Sequence, residues 1–172
     1  MKISKLSGAK LGACAASALL ASNVALASDT ASTAMQRVIK QEQMKVMKGD
    51  SAIFSGDVKV TLLFGESENR NAGGGLVEFS PKARSAWHTH PAGQTLIVVE
   101  GEIYTGTEDG ITQIAKKGEV IECPANVKHW HGAGEKQKGA HIALTGSKEG
   151  KNVIWLEKLS DAEYQKAIKS AK

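Results

Sequence analysis

The sequence has few of the features that would mark a disulfide scaffold, a nucleic-acid binder or a glycosidase. Only two cysteines occur in 172 residues, with three prolines and 5% aromatic side chains. Cys14 falls in an N-terminal segment that reads as a leader, so Cys123 stands alone afterwards. An exported chain with one cysteine has no internal disulfide. Its stability must come from a packed core, a metal, an oligomer or some combination of these. Cys123 itself, near Ile121 and Pro124, reads as a buried small hydrophobe. A surplus of one charge is also missing. The formal net charge is +4, but losing Lys2, Lys5 and Lys10 with the leader takes 22 basic residues to 19 against 18 acidic, a net of +1. That balance gives no reason to expect a nucleic-acid partner. Glu78, Glu100, Glu102 and Glu122 read as solvated strand positions without a partner carboxylate, which argues against glycosidase chemistry. Gly73-Gly74-Gly75 lacks the Lys-Ser/Thr and helix of a phosphate-binding loop.

The leader is the one apolar run of note. Lys2, Lys5 and Lys10 precede an Ala-rich stretch through Leu19, Leu20 and Val24. Ala25-Leu26-Ala27 then supplies the small-x-small pattern of a signal-peptidase site. The run is short and rich in Ala and Ser, so no membrane span is expected after processing. Leu11-Gly12-Ala13-Cys14 resembles a lipid-attachment box, but the apolar stretch follows that cysteine instead of preceding it. Residues 1–27 are therefore expected to be a signal peptide, 28–53 an N-terminal arm and 54–172 the folded domain. The destination is the periplasm or the exterior.

Beyond the arm, 18 glycines and many Val, Ile and Thr residues predict short strands joined by tight turns. Strands are expected at Val58–Phe64, Leu76–Phe79, Thr95–Val99, Glu102–Thr105, Ile111–Ala115, Val120–Cys123 and Ala140–Leu144. Gly101, Asp109-Gly110 and Lys117-Gly118 read as turns, and the stretch from Glu66 to Gly75 as a loop. This spacing predicts an all-β sandwich or barrel. Ser160-Asp161-Ala162-Glu163 has the S-x-x-E form of a capping box and predicts a short C-terminal helix to about Lys169. Tyr164, Ala167 and Ile168 form its apolar stripe.

All five histidines lie between His88 and His141. Four form the pairs His88-Thr89-His90 and His129-Trp130-His131. Residues two apart on a strand share a face, so each pair can aim two imidazoles into one cavity. Gln94 follows His90 across a Pro91-Ala92-Gly93 turn that can swing its amide to the same point. This clustering points to a metal site. Trp87 and Trp130 alternate with the histidines and are expected to pack on the opposite face, in the core or at a subunit interface. His131 reads as a further ligand, as a donor beside the ligands, or as a polar residue at the rim.

Trp87-His88-Thr89-His90-Pro91-Ala92-Gly93-Gln94 with Gly101 resembles the first motif of the cupins. Gly118, Pro124 and His129 match the second, with the spacing G-x5-P-x-G-x2-H. The resemblance covers about Phe54 to Ala167 and implies a single-domain jelly-roll β-barrel with one metal in its mouth. Ala83 to Val98 and Lys128 to Ala133 further resemble bacterial manganese-dependent hydroxynitrile-lyase cupins, whose relatives are associated with carboxymuconolactone decarboxylases. Three departures stand out. Lys82 and Asn126 replace the usual glycines, and Gln94 stands where most cupins carry Glu, as it does in the lyase-like branch. Asn is the commonest residue other than Gly at positive φ, so its turn is expected to survive.

The resemblance implies that His88, His90, Gln94 and His129 are the metal ligands, with His141 a further active-site histidine and His131 beside it. One divalent transition metal is expected, manganese by resemblance, although imidazoles also suit Fe, Ni and Zn. Three imidazoles and an amide leave the ion its full charge, which favours stabilising a developing oxyanion. The implied function is a C–C bond lyase of the mandelonitrile-lyase kind acting on a small molecule. The alternatives are a non-catalytic small-molecule-binding cupin and a metal-dependent oxygenase or isomerase. The resemblance also implies a homodimer or small even homo-oligomer. N-terminal sequencing of the exported protein is expected to begin at or near Ser28. A lipidated Cys14 at the new terminus would overturn the soluble, disulfide-free reading.

Overall fold

A computed structural model of the chain describes residues 35–171. The expected signal peptide, with Cys14, lies outside these residues. A 3-10 turn at Gln41–Gln43 leads into twelve strands and one helix. The strands are β1 (Lys45–Lys48), β2 (Phe54–Ser55), β3 (Val58–Phe64), β4 (Ala72–Phe79), β5 (Arg84–Ser85), β6 (His88–Thr89), β7 (Gln94–Thr107), β8 (Thr112–Lys116), β9 (Val120–Cys123), β10 (His129–Gly132), β11 (Gly139–Gly146) and β12 (Ile154–Trp155). Helix α1 (Asp161–Ser170) closes the described chain. Strand pairing runs β1-β3-β4-β11-β7-β10-β5-β2; β8 and β9 add to β7, and β6 joins β10 to β12. The result is the expected all-β architecture, a curled antiparallel sheet of jelly-roll type. Among the described residues no helix is long and apolar enough to cross a membrane.

Three local readings need correction. Thr95–Val99 and Glu102–Thr105 are not separate strands. They are two halves of β7, whose first half pairs with β9 and whose second pairs with β8 and β10. Gly101 bends this strand instead of turning it, at φ +59, and a side chain there would run into the Lys138 carbonyl. The Gly73-Gly74-Gly75 run belongs to β4, not to a loop. The Phe64 ring lies where a Cβ on Gly74 would project, so strand propensity yields there to close packing. Part of the expected arm, Lys45–Lys48, is an edge strand in register with β3 from Val60 to Leu62 and Lys59.

Both unusual turn residues do adopt the left-handed conformation that glycine would favour, Lys82 at φ 68 and Asn126 at φ 64. The inward faces of the strands bury Val58, Val77, Phe79, Val98 and Ile103 in one core, joined by Phe54. Trp130, Leu159 and Tyr164 form a second, with Trp87 packed against it. Trp87 and Trp130 thus pack away from the histidine face, under α1.

Helix α1 is specified locally and docked by one buried cation. Ser160 accepts from the Glu163 amide, and the Glu163 carboxylate accepts from the Ser160 amide at 2.8 Å. The Tyr164 hydroxyl donates to the Ala133 carbonyl at 2.8 Å. The Arg84 guanidinium lies 4.6 Å from the Tyr164 ring centroid and donates to the Leu159 carbonyl and to Asp161. Tyr164→Ala removes the ring, its hydrogen bond and the cation–π contact together. It is expected to destabilise the protein by about 3–5 kcal/mol, as for large aromatic truncations, measured by denaturant unfolding.

Candidate metal centre

The histidines converge because the sheet places them opposite one another. His129 in β10 pairs with His88 in β6, and His88 pairs with Trp155 in β12. Directly opposed residues share a face, so this row points inward as a unit. His141 belongs to a second inward row, between Val77 of β4 and Val98 of β7. The register of β11 against β7 shifts between Ala140 and His141. Such an irregularity re-aims the side chain beside it. Gly93, at φ 75, turns the chain so that Gln94 re-enters the sheet opposite Cys123 and Thr145.

Ring nitrogens of His88, His129 and His131 lie within 4.8 Å of one another, and all three residues are buried. His90 adjoins them, its ring centroid 5.0 Å from that of His88 and 5.4 Å from that of His129. The Nδ1 atoms of His88, His90 and His129 each meet a backbone carbonyl, of Ala86 at 2.9 Å, Asn152 at 2.6 Å and Val127 at 2.9 Å. A carbonyl only accepts, so these nitrogens carry the protons and the Nε2 atoms present lone pairs. Gln94 donates its amide to Thr145 Oγ1 at 2.9 Å, which turns its carbonyl oxygen the other way.

That orientation leaves a set of acceptors without donors. His90 Nε2, His129 Nε2 and Gln94 Oε1 are all buried, with no hydrogen-bond partner among the described residues. Buried lone pairs left unsatisfied are costly, and a divalent cation is the group that satisfies several at once. A ligating imidazole typically donates its other N–H to a carbonyl, which is the arrangement at His88, His90 and His129. The donor set therefore fits a metal ion.

His131 and His141 form a second unit. His141 Nε2 lies 3.1 Å from His131 Nδ1, so one of these two nitrogens carries the shared proton. If it sits on His131 Nδ1, then His131 Nε2 is a lone pair available to a cation. If it sits on His141 Nε2, then His131 Nε2 is protonated and cannot ligate. The position of one proton thus selects between two of the three readings of His131, and its burial overturns the third, a polar residue at the rim. Phe79 packs against both rings, with centroids at 5.9 and 5.6 Å, and His141 is fully sealed from solvent.

Burial favours the neutral form of all five imidazoles. It lowers the pKa of His141 to about 3 and of His90 to about 4. His129 is lowered for the same reason, and His88 and His131 well below the ordinary value, with neighbouring histidines adding to the effect. The Cys123 thiol is buried, as expected, and burial pushes its pKa up to about 11, which disfavours the reactive thiolate.

The segment after β11 is the part that sequence reasoning left blank. Residues 147–158 cross the site: Asn152 supplies the carbonyl that holds His90, and β12 pairs with the strand carrying His88. A backbone carbonyl has no side-chain signature, so nothing in the composition pointed to Asn152. Trp155 could have been found from its position downstream of the last histidine strand, as an aromatic residue in a short apolar run.

Comparison with known proteins agrees with the fold. The cupin domain family matches residues 75–143. An (R)-mandelonitrile lyase from Granulicella tundricola is 38% identical over 119 residues, covering 69% of this chain and 91% of that protein. A cupin-like protein from Thermotoga maritima is 39% identical with a TM-score of 0.67, covering 70% of this chain and 91% of that one. A polyketide cyclase from Streptomyces resistomycificus shares the fold at 16% identity, with a TM-score of 0.61 and coverage of 80% and 100%.

The lowered histidine values have a stability consequence for metal-free protein. Each imidazole is neutral when folded but protonates near pH 6.5 when unfolded, so the unfolded chain binds more protons below that point. The contribution of these residues is fully present above about pH 6.5 and is lost as pH falls towards their folded values. Chelator-treated protein is expected to melt at clearly lower temperature at about pH 5 than at about pH 7.5, followed by circular dichroism. A melting temperature unchanged across that interval would contradict the assignment of neutral buried imidazoles.

Proposed function

Because the chain belongs to the cupin family, we propose that it is an exported metal-dependent lyase that cleaves or forms a C–C bond next to a substrate hydroxyl, of the hydroxynitrile-lyase kind. The observation that carries the reading is the His131–His141 pair, hydrogen-bonded at 3.1 Å, directly beside a set of orphaned acceptors. A protein that only binds its ligand has no need of a second, proton-carrying imidazole unit there. The 38% identity to an (R)-mandelonitrile lyase supports the same class. Export and an even-numbered homo-oligomer are part of the proposal.

In this reading His88, His90, Gln94 and His129 hold the divalent ion, manganese by kinship. When bound, it supplies Lewis-acid charge undiluted by any carboxylate ligand. His131 stands between His88 and His141, its ring centroid 5.0 Å from the first and 4.7 Å from the second. The hydroxyl proton of a cyanohydrin passes to His131 Nε2, while the Nδ1 proton of His131 moves to His141 Nε2. The oxygen lone pair becomes the carbonyl π bond, the C–C bond to the nitrile breaks, and its electron pair leaves on cyanide. His141 then returns the proton through His131 to give hydrogen cyanide. Neutral imidazoles are required at the start, and burial enforces them. The same burial makes the protonated pair short-lived and favours return of the proton.

His141→Ala is expected to keep stoichiometric metal and lose roughly 10²-fold or more in turnover, as for removal of a general base. Cyanide release from a panel of cyanohydrins, measured in air and under argon, reads the result. Equal rates in both atmospheres are expected for a lyase. A strict requirement for oxygen would replace this reading with an oxygenase, and full activity in His141→Ala would move the acid–base role elsewhere.

A further inference from the structure

Trp155 is an aromatic side chain at this site that neither the fold nor the proton chemistry uses. It sits directly opposite His88 in the β6–β12 pair, in the same inward row as His88 and His129. Its ring centroid is 4.8 Å from that of His88, with the planes tilted by 44°. The other ring packed on the histidines, Phe79, is 1% exposed, whereas Trp155 is 36% exposed. Of the two aromatic rings packed on the histidines, Trp155 is therefore the one that retains surface for a ligand.

The side chain is also held in place. Leu156 donates its amide to the Trp87 carbonyl and Trp87 to the Glu157 carbonyl, both at 2.9 Å, which locks the strand beside β6. The Phe54 ring supports Trp155 edge-on, with centroids 5.9 Å apart. A large indole that is backed on one side, open on the other and fixed in position loses little freedom when something covers it. It presents a flat, electron-rich surface that favours an aryl group over a saturated one of equal size.

We propose that Trp155 is a specificity-determining residue, the platform that receives a flat aromatic substituent of the substrate while the substituent's hydroxyl-bearing carbon lies at the histidines. The proposal deepens the lyase reading and rests on it for what the substrate's reacting half is. Recognition of the aryl group itself requires no turnover.

The test is equilibrium binding of benzyl alcohol, with cyclohexylmethanol as the saturated control, to the metal-loaded protein by calorimetry. Trp155→Leu is expected to weaken benzyl alcohol roughly three- to tenfold, the range of an aromatic pair, and to leave cyclohexylmethanol within about twofold, while Trp155→Phe restores most of the loss. In zinc-loaded protein labelled with ¹⁵N, the indole signal that vanishes in Trp155→Phe is expected to shift on addition of benzyl alcohol, with those of Trp87 and Trp130 unmoved. This second measurement needs only the wild type and the conservative variant. Equal loss of both alcohols in Trp155→Leu, or an indole signal of Trp155 that does not move, overturns the proposal. Selective loss of benzyl alcohol in a protein that releases no cyanide from any cyanohydrin would retain Trp155 as the aryl platform and reject the lyase reading.

Discussion

The interior of this barrel is organised around acceptors that no donor among the described residues satisfies. Imidazole nitrogens normally find partners when buried, and a protein can always offer them a hydroxyl or an amide. Here the partners are withheld. Each Nδ1 of His88, His90 and His129 is tied to a carbonyl, the Gln94 amide is tied to Thr145, and His90 Nε2, His129 Nε2 and Gln94 Oε1 are left without a donor among the described residues. Such an arrangement costs stability in the metal-free chain, and a bound cation offsets that cost. The backbone carbonyls do the orienting, so ring orientation depends on the local path of the chain and little on neighbouring side chains.

That path is set by strand pairing. The register of β10 against β6 fixes His129 opposite His88, and the irregularity beside His141 turns its ring towards His131. The chain leaving β11 then returns across the site to supply Asn152 and Trp155 before entering α1. The helix lies on the other side of the sheet, where Trp130 meets Tyr164 at 5.9 Å. His129-Trp130-His131 thus builds two environments from three residues, polar and metal-seeking on one face, aromatic and structural on the other.

Much of this was legible in the sequence because it rests on period and spacing. Two H-x-H pairs on strands dictate shared faces, and the Ser160–Glu163 box dictates a helix start. Lys82 and Asn126 sit where the cupin motifs call for glycine, and both positions do take left-handed backbone. The misreadings within the sheet around Gly101 and Gly73-Gly74-Gly75 have a common cause, the treatment of glycine as punctuation. Gly101 bends a continuous strand because the Lys138 carbonyl passes too close for a side chain, and Gly74 lies in a strand because Phe64 covers it. Both are consequences of tertiary proximity, which no local window contains. Asn152 was invisible for a different reason, since its contribution is a carbonyl that any residue would supply. The His131–His141 contact was likewise beyond reach, because ten residues of separation and a register shift decide whether two rings meet.

The length of β7 has an implication for how the molecule opens. Its fourteen residues contact four other strands, β8, β9, β10 and β11. Neither half of the sheet can separate without releasing it, so the scaffold and the histidine face belong to one cooperative unit. Its amides should exchange with solvent only through global unfolding, and local fluctuation is left to elements held on one side, such as β1. The consequence is a division of labour in time. The histidines of β10 and β11 keep their places for as long as the protein stays folded, while the edge strand β1 opens at far smaller cost.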